Sequence, residues 1–160
     1  GNGTAIADYC WDMDANFTCE GAGPGFNYQH AAYGVYNPNL IITTQYGCLD
    51  TISYPVEIFE IPTPNFAWQN ECENQAVSFV NTSVLNTGTI TDYTWSFDDP
   101  AIPGSILENP MVTYVNEGFY DVNLEVASIN GCSADITQTI SIFPTPMPSF
   151  SVGDVCNGSI

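Results

Sequence analysis

The stretch Tyr93-Thr94-Trp95-Ser96-Phe97-Asp98 sets three aromatic side chains on one face of an alternating run. Tyr9-Cys10-Trp11-Asp12-Met13-Asp14 repeats much of that pattern 84 positions earlier. Alternation with a period of two marks a half-buried β-strand. The offset of 84 holds along the chain without a gap: Gly34, Tyr36 and Leu40 fall on Gly118, Tyr120 and Leu124, and Gly47-Cys48 falls on Gly131-Cys132. Pro62, Pro64, Phe66 and Cys72 fall on Pro146, Pro148, Phe150 and Cys156. Of the 76 overlapping positions 19 are identical, about four times what random pairing of common residues gives. Self-similarity at a fixed period is the signature of an array of modules.

Working outward from Tyr93, the neighbouring segments also read as strands. Val77, Phe79 and Asn81 alternate with Ser78 and Val80 and form the expected first strand of the complete unit. From Gly118, Tyr120, Val122, Leu124 and Val126 share a face opposite Asp121, Asn123 and Glu125. Asn130-Gly131 supplies a tight turn, and Ile136, Ile140 and Ile142 return as a closing strand. In the first unit Tyr9 and Trp11, then Tyr36, Leu40 and Ile42, then Val56, Ile58 and Phe59 carry the same marks. About seven short strands in roughly 80 residues predict an all-β, antiparallel β-sandwich. Pro62-Thr63-Pro64 and Pro144-Thr145-Pro146-Met147-Pro148 read as short stiff spacers, because alternating prolines favour an extended backbone. The expected division is 1–63 as an incomplete sandwich lacking its first strands and 64–146 as a complete one. Residues 147–160 would begin a third unit or be a strand donated to another copy.

Composition narrows the partners. The 160 residues include no lysine or arginine against 18 Asp and Glu, for a formal charge of −18. Apolar residues at 44% and aromatics at 13% are too many for a disordered acidic tail. Nucleic acid is excluded, because phosphate binding depends on Lys and Arg, and so are anionic membrane surfaces. No apolar run approaches the length of a membrane span, so membrane insertion is not expected. Cations, neutral glycans and basic proteins stay as partners. Six cysteines and several Asn-x-Ser/Thr sequences point to an oxidising extracellular compartment. Gly1 is not expected to be a natural start, so the chain reads as a mature or excised piece of an exported protein.

The segment Tyr93-Thr94-Trp95-Ser96-Phe97-Asp98-Asp99, then Asn109-Pro110, Tyr114 and Gly118-Phe119-Tyr120-Asp121-Val122, resembles the PKD (polycystic kidney disease) domain. The opening Cys72, the Asn130-Gly131-Cys132 turn and the Pro-x-Pro spacer are similar to the PKD-like repeats of giant surface adhesins in gliding and marine Bacteroidetes. Asp98-Asp99-Pro100 departs from the family's Phe-Gly-Asp-Gly, and Met13-Asp14-Ala15 departs further. The resemblance implies tandem Ig-like sandwiches without catalytic activity, in a stalk for adhesion or gliding motility. Two alternatives stand beside it: a glycan-binding accessory module of a secreted hydrolase, and a self-assembling filament subunit completed by strand donation.

Candidate sites follow from residue chemistry. Cys72, opening the first strand, and Cys132, in the last hairpin, are expected at one end of one sandwich and therefore bonded, worth roughly 4 kcal/mol. Cys10 and Cys19 have no cysteine counterparts at Thr94 and Pro103 and are expected to form a local bridge. Cys48 and Cys156 are then left for partners beyond the two ends or in neighbouring copies, with Cys48–Cys72 as the competing pairing. Asp12 with Asp14, and Asp98 with Asp99, follow the aromatic strands where a loop could hold calcium, an ion that takes six to eight oxygens. No cofactor is otherwise required. His30 has no His/Cys cluster around it, and no Gly-x-Ser-x-Gly motif exists. Trp68 is expected either to pack the joint between units or to stack on a sugar. Asn2, Asn16, Asn81 and Asn157 begin N-linked acceptor sequences, and Thr51 resembles a Bacteroidetes O-glycan acceptor.

Overall fold

Residues 5–153 are described by a computed structural model, and every regular element among them is a strand. The first half holds β1 (Ile6–Asp12), β2 (Gly21–Ala22), β3 (Gly34–Tyr36), β4 (Asn39–Thr44), β5 (Leu49–Ser53) and β6 (Val56–Ile58). The second half holds β7 (Phe66–Gln69), β8 (Ala76–Asn81), β9 (Ile90–Ser96), β10 (Met111–Thr113), β11 (Gly118–Ser128) and β12 (Ser133–Ile142). Strands pair in the orders β2-β1-β4-β5 and β3-β6 in the first half, and β10-β8-β7 and β12-β11-β9 in the second. All of these pairs are antiparallel.

The second half is a closed sandwich because both of its sheets present apolar side chains at alternate positions. Along β11, Val122, Leu124 and Val126 are buried while Asp121 and Glu125 face water. They meet Phe66, Val77 and Phe79 from the facing sheet, with Trp95 and Phe97 between them. The Trp95 ring lies 5.1 Å from Phe66 and 5.6 Å from Phe79, distances at which aromatic pairs add about 0.5–1.5 kcal/mol beyond area burial. Its indole N–H donates to the Leu107 carbonyl at 2.9 Å, and the buried Tyr114 hydroxyl donates to the Phe97 carbonyl at 3.1 Å. Burial, with smaller effects from Tyr120, Asp99 and Asp98, pushes the Tyr114 phenol far above its ordinary pKa. It is therefore a fixed donor rather than an acid. Ser128 is the one buried side chain among the described residues whose polar atom lacks a partner.

The first half repeats this hydrogen-bond pattern 84 positions earlier. Trp11 pairs with Leu40 as Trp95 pairs with Leu124, and Gly34 pairs with Ile58 as Gly118 pairs with Ile142. The Trp11 indole donates to the Gly23 carbonyl at 3.0 Å, matching Trp95 and Leu107. Tyr36 donates to the Ala32 carbonyl at 2.8 Å, as Tyr120 does to Asn116 at 3.0 Å. Gly47 and Gly131 close the two hairpins at φ 78° and 80°, a conformation open to glycine at no steric cost.

Prolines break the equivalence at two adjacent levels of the ladder. Pro38 occupies the place of Val122 and Pro55 that of Thr139. Proline has no N–H to give a ladder. The long strands β11 and β12 therefore appear in the first half as the fragments β3 and β4, and β5 and β6.

Three expectations change. The strand Phe66–Gln69 precedes Val77–Asn81, so the complete unit begins one strand earlier than its alternation suggested. The added strand reverses the end at which Cys72 lies: Cys72 bridges Phe143, beyond the end of β12, whereas Cys132 sits at the hairpin before its start. Ten residues of strand span about 34 Å, far beyond the Cα separation of a disulfide. Cys72 and Cys132 are accordingly unbonded, and Cys48, in the hairpin at the far end of the first half, is free as well. The competing Cys48–Cys72 bond is also absent. Finally, the proline segments are not bare spacers. Pro62 is buried, Thr63 exchanges two hydrogen bonds with Val84, and Thr145 is bound to Glu73.

Candidate functional site

Two places gather polar groups: the loop after β1 and the junction between the halves. In the loop, Cys10 and Cys19 are disulfide-bonded, with Cα atoms 5.2 Å apart. The bridge folds Glu20 back towards Asp12 and Asp14, so that one oxygen from each lies within 4.8 Å of the others. Glu20 was not legible as a partner, because only the bridge brings it there. Asp12 is fully buried. Its carboxylate accepts from the Asn16 and Phe17 backbone at 3.1 and 3.0 Å and from Asn39 Nδ2 at 3.4 Å. Burial pushes its pKa up, but the bonds from Asn39 and from the Phe17, Asn16 and Ala15 backbone outweigh that and lower it.

The other two carboxylates are equally engaged. Asp14 accepts from the Asn16 backbone at 3.2 Å and its Nδ2 at 2.7 Å. Glu20 accepts from the Met13 N–H at 2.7 Å and the Thr18 hydroxyl at 3.0 Å. All six oxygens thus already have donors. They hold a loop in which Ala15 and Phe17 adopt left-handed φ of 59° and 67°, a region costly for residues with a Cβ. A calcium ion there would compete with each of these donors.

Asp98 and Asp99 are used differently. Asp98 accepts from the Asp121 N–H at 3.2 Å, and Asp99 accepts from the Ala101 N–H at 2.8 Å. No third carboxylate joins them among the described residues.

At the junction, Glu60 follows β6 and reaches into the loop before β9. Its carboxylate accepts from Asn86 Nδ2 at 2.6 Å, the Thr87 N–H at 2.7 Å and the Thr87 hydroxyl at 2.8 Å. Partial burial raises its pKa, yet the bonds from Asn86 and Thr87 prevail and lower it. Beside this contact a cleft is lined by Val35, Ile58 and Phe59 on one side and by Thr87, Gly88 and Asn130 on the other.

The remaining candidates lie apart. Trp68 belongs to β7, which has already run away from the junction, so it does not line that cleft. It packs on the core, and its indole N–H donates to Glu71 at 2.8 Å. Thr51 is exposed on β5, and His30 stacks on Tyr36 with ring centroids 3.7 Å apart. Cys156, Asn2, Asn157 and half of the segment proposed for donation, residues 154–160, lie outside the described residues. No helix is long and apolar enough to cross a membrane among those described.

The PKD domain family matches residues 60–143, more than half of the chain. The chain belongs to that family. Among solved structures, the PKD1 domain of Vibrio anguillarum Epp is 25% identical, with a TM-score of 0.51 over 55% of this chain and 100% of that one. The PKD1 domain of the Vibrio cholerae metalloprotease PrtV is 30% identical over 52% of this chain and 98% of that chain, with a TM-score of 0.47. A structure described for the promiscuous specificity of carbohydrate-binding modules from the β-sandwich superfamily is 29% identical, with a TM-score of 0.50. It is matched over 54% of this chain and 36% of its own length. No curated protein matches the chain.

Proposed function

We propose that this chain is a non-catalytic segment of a tandem array of sandwiches in a secreted surface adhesin, serving as a stiff stalk. The observation that carries the reading is the recurrence of the same hydrogen bonds at an offset of 84 residues, supported by the contact of Glu60 with Thr87 between the two halves. A membrane-distal stalk needs rigid joints and solubility without specific surface chemistry. Glu60 stiffens the joint, and the charge of −18 keeps neighbouring rods apart until salt screens them. The disulfide Cys10–Cys19 agrees with an oxidising extracellular location.

Solution scattering tests this directly. The expected particle is elongated, two modules long, and keeps its length from dilute to physiological salt. A globular envelope with both halves folded onto one core overturns the reading.

Glycan binding is the second reading, favoured by the likeness to carbohydrate-binding modules. Exposed apolar groups such as Tyr46 and Tyr54 offer stacking surface. Titration with soluble oligosaccharides tests it, and heat on binding that Tyr46→Ala or Tyr54→Ala removes would assign the accessory-module role. The filament reading rests on the first half, where Trp11, Leu40, Ile52 and Val56 line a groove. Its second-half counterparts are covered by β7 and β8. A strand from another copy would cover that groove and make size depend on concentration.

A further inference from the structure

We propose that the unpaired cysteines form disulfides between successive modules: the cysteine that follows β7 in one module bonds the hairpin cysteine of the next. The inference rests on the tandem-array reading. Each end of the second sandwich carries one free thiol, Cys132 at the junction with the first half and Cys72 at the opposite end. An end-to-end stack therefore brings thiols of the two kinds to every joint.

The existing junction shows where the missing partner of Cys132 would run. Cys72 lies beside Phe143, whose N–H donates to the Glu71 carbonyl at 2.6 Å and whose carbonyl accepts from the Glu73 N–H at 2.9 Å. The residue 84 positions before Phe143 is Phe59. Phe59 lines the junction cleft opposite Asn130, two residues from Cys132. The segment that completes the first half's own sandwich, paired to Phe59 as Glu71–Glu73 pair to Phe143, would deliver its cysteine into this cleft. The same argument sends Cys72 to the hairpin of a following module, presented as Cys48 is presented by the first.

Bond formation removes two protons and two electrons from two thiols, and a small-molecule or protein disulfide accepts both, becoming two thiols. Such bonds would lie along the array, so cutting one peptide bond in a loop would not sever a module from its neighbour.

The full chain carrying Phe59→Cys tests the geometry, with glutathione disulfide as oxidant. Digestion uses a glutamate-specific protease, since trypsin finds no lysine or arginine. The expected product links the introduced thiol to Cys132 and cuts alkylation of Cys132 at least tenfold, while Cys72 stays fully alkylated. Glu57→Cys, on an exposed position of the same cleft, repeats the test if the first variant loses the Cys10–Cys19 bridge. Wild-type chain that links Cys72 to Cys132 within one molecule overturns the proposal. If neither variant cross-links while scattering still shows an end-to-end particle, the bond is refuted and the array stands. Halves that reorient independently in scattering sink both.

Discussion

The two halves of this chain share one pattern of hydrogen bonds but not one interior. Trp95, Leu124 and Val126 are fully enclosed, whereas Trp11, Leu40 and Ile42 at the same positions are only half-buried. The strand order is alike, so the difference comes from the facing sheet that β7, β8 and β10 supply to the second half alone among the described residues. Backbone pairing thus persists where the apolar layer is open on one side. The first half replaces some of that lost packing with a local disulfide and a carboxylate-ordered loop.

Truncating the two tryptophans should separate the halves most sharply. Trp95→Ala is expected to cost about 3–5 kcal/mol, the usual toll of removing a large buried aromatic. Trp11→Ala should cost less, because part of its surface is already in contact with water and less apolar area is lost on truncation. Urea unfolding followed by circular dichroism gives both values, and equal costs would mean the first half is closed in solution. Next in size is the pair of prolines. Pro38→Val with Pro55→Thr restores the second half's residues and should merge the broken strands. A gain of about 1 kcal/mol per added ladder bond is expected, with new slow-exchanging amides at both positions.

Acidification should act on the first half and the junction before the closed sandwich. Asp12 and Glu60 both have pKa values lowered by hydrogen bonds. Their contribution is complete above the unfolded carboxylate pKa and disappears as pH falls through the lower folded values. Amide exchange around Asn16, Phe17 and Thr87 should therefore speed up between about pH 5 and pH 2, ahead of exchange at Leu124. Smaller still, Ser128→Ala removes a buried hydroxyl that has no partner and should leave stability unchanged or raise it by about 1 kcal/mol. The smallest effect is expected of calcium. Millimolar ion should move the melting temperature by less than about 1 °C, whereas a rise of several degrees that Asp12→Asn abolishes would make the loop a metal site.

The sequence made the strand pattern legible wherever alternation and turns coincided: Gly118, Asn130-Gly131 and the buried run Val122, Leu124, Val126 stand where the pattern put them. Phe66–Gln69 was harder to read, since four residues beside prolines carry too little alternation to stand out. That omission misdirected the cysteines, because one extra strand exchanges the two ends of everything after it. The acidic loop was half legible: Asp12 and Asp14 lie two apart in sequence, but Glu20 joins them only through the Cys10–Cys19 bridge. The contact between Glu60 and Thr87 had no signal, since a single carboxylate says nothing about what lies 27 residues on.

The placement of Thr63 and Thr145 has a mechanical corollary. The chain enters the second sandwich beside Val84 and leaves it beside Glu73, at opposite ends of the long strands. Tension on the two termini would then act parallel to β7 and β12, loading many bonds in shear instead of unzipping them singly. A module threaded this way resists extension best along the direction in which a tether is pulled.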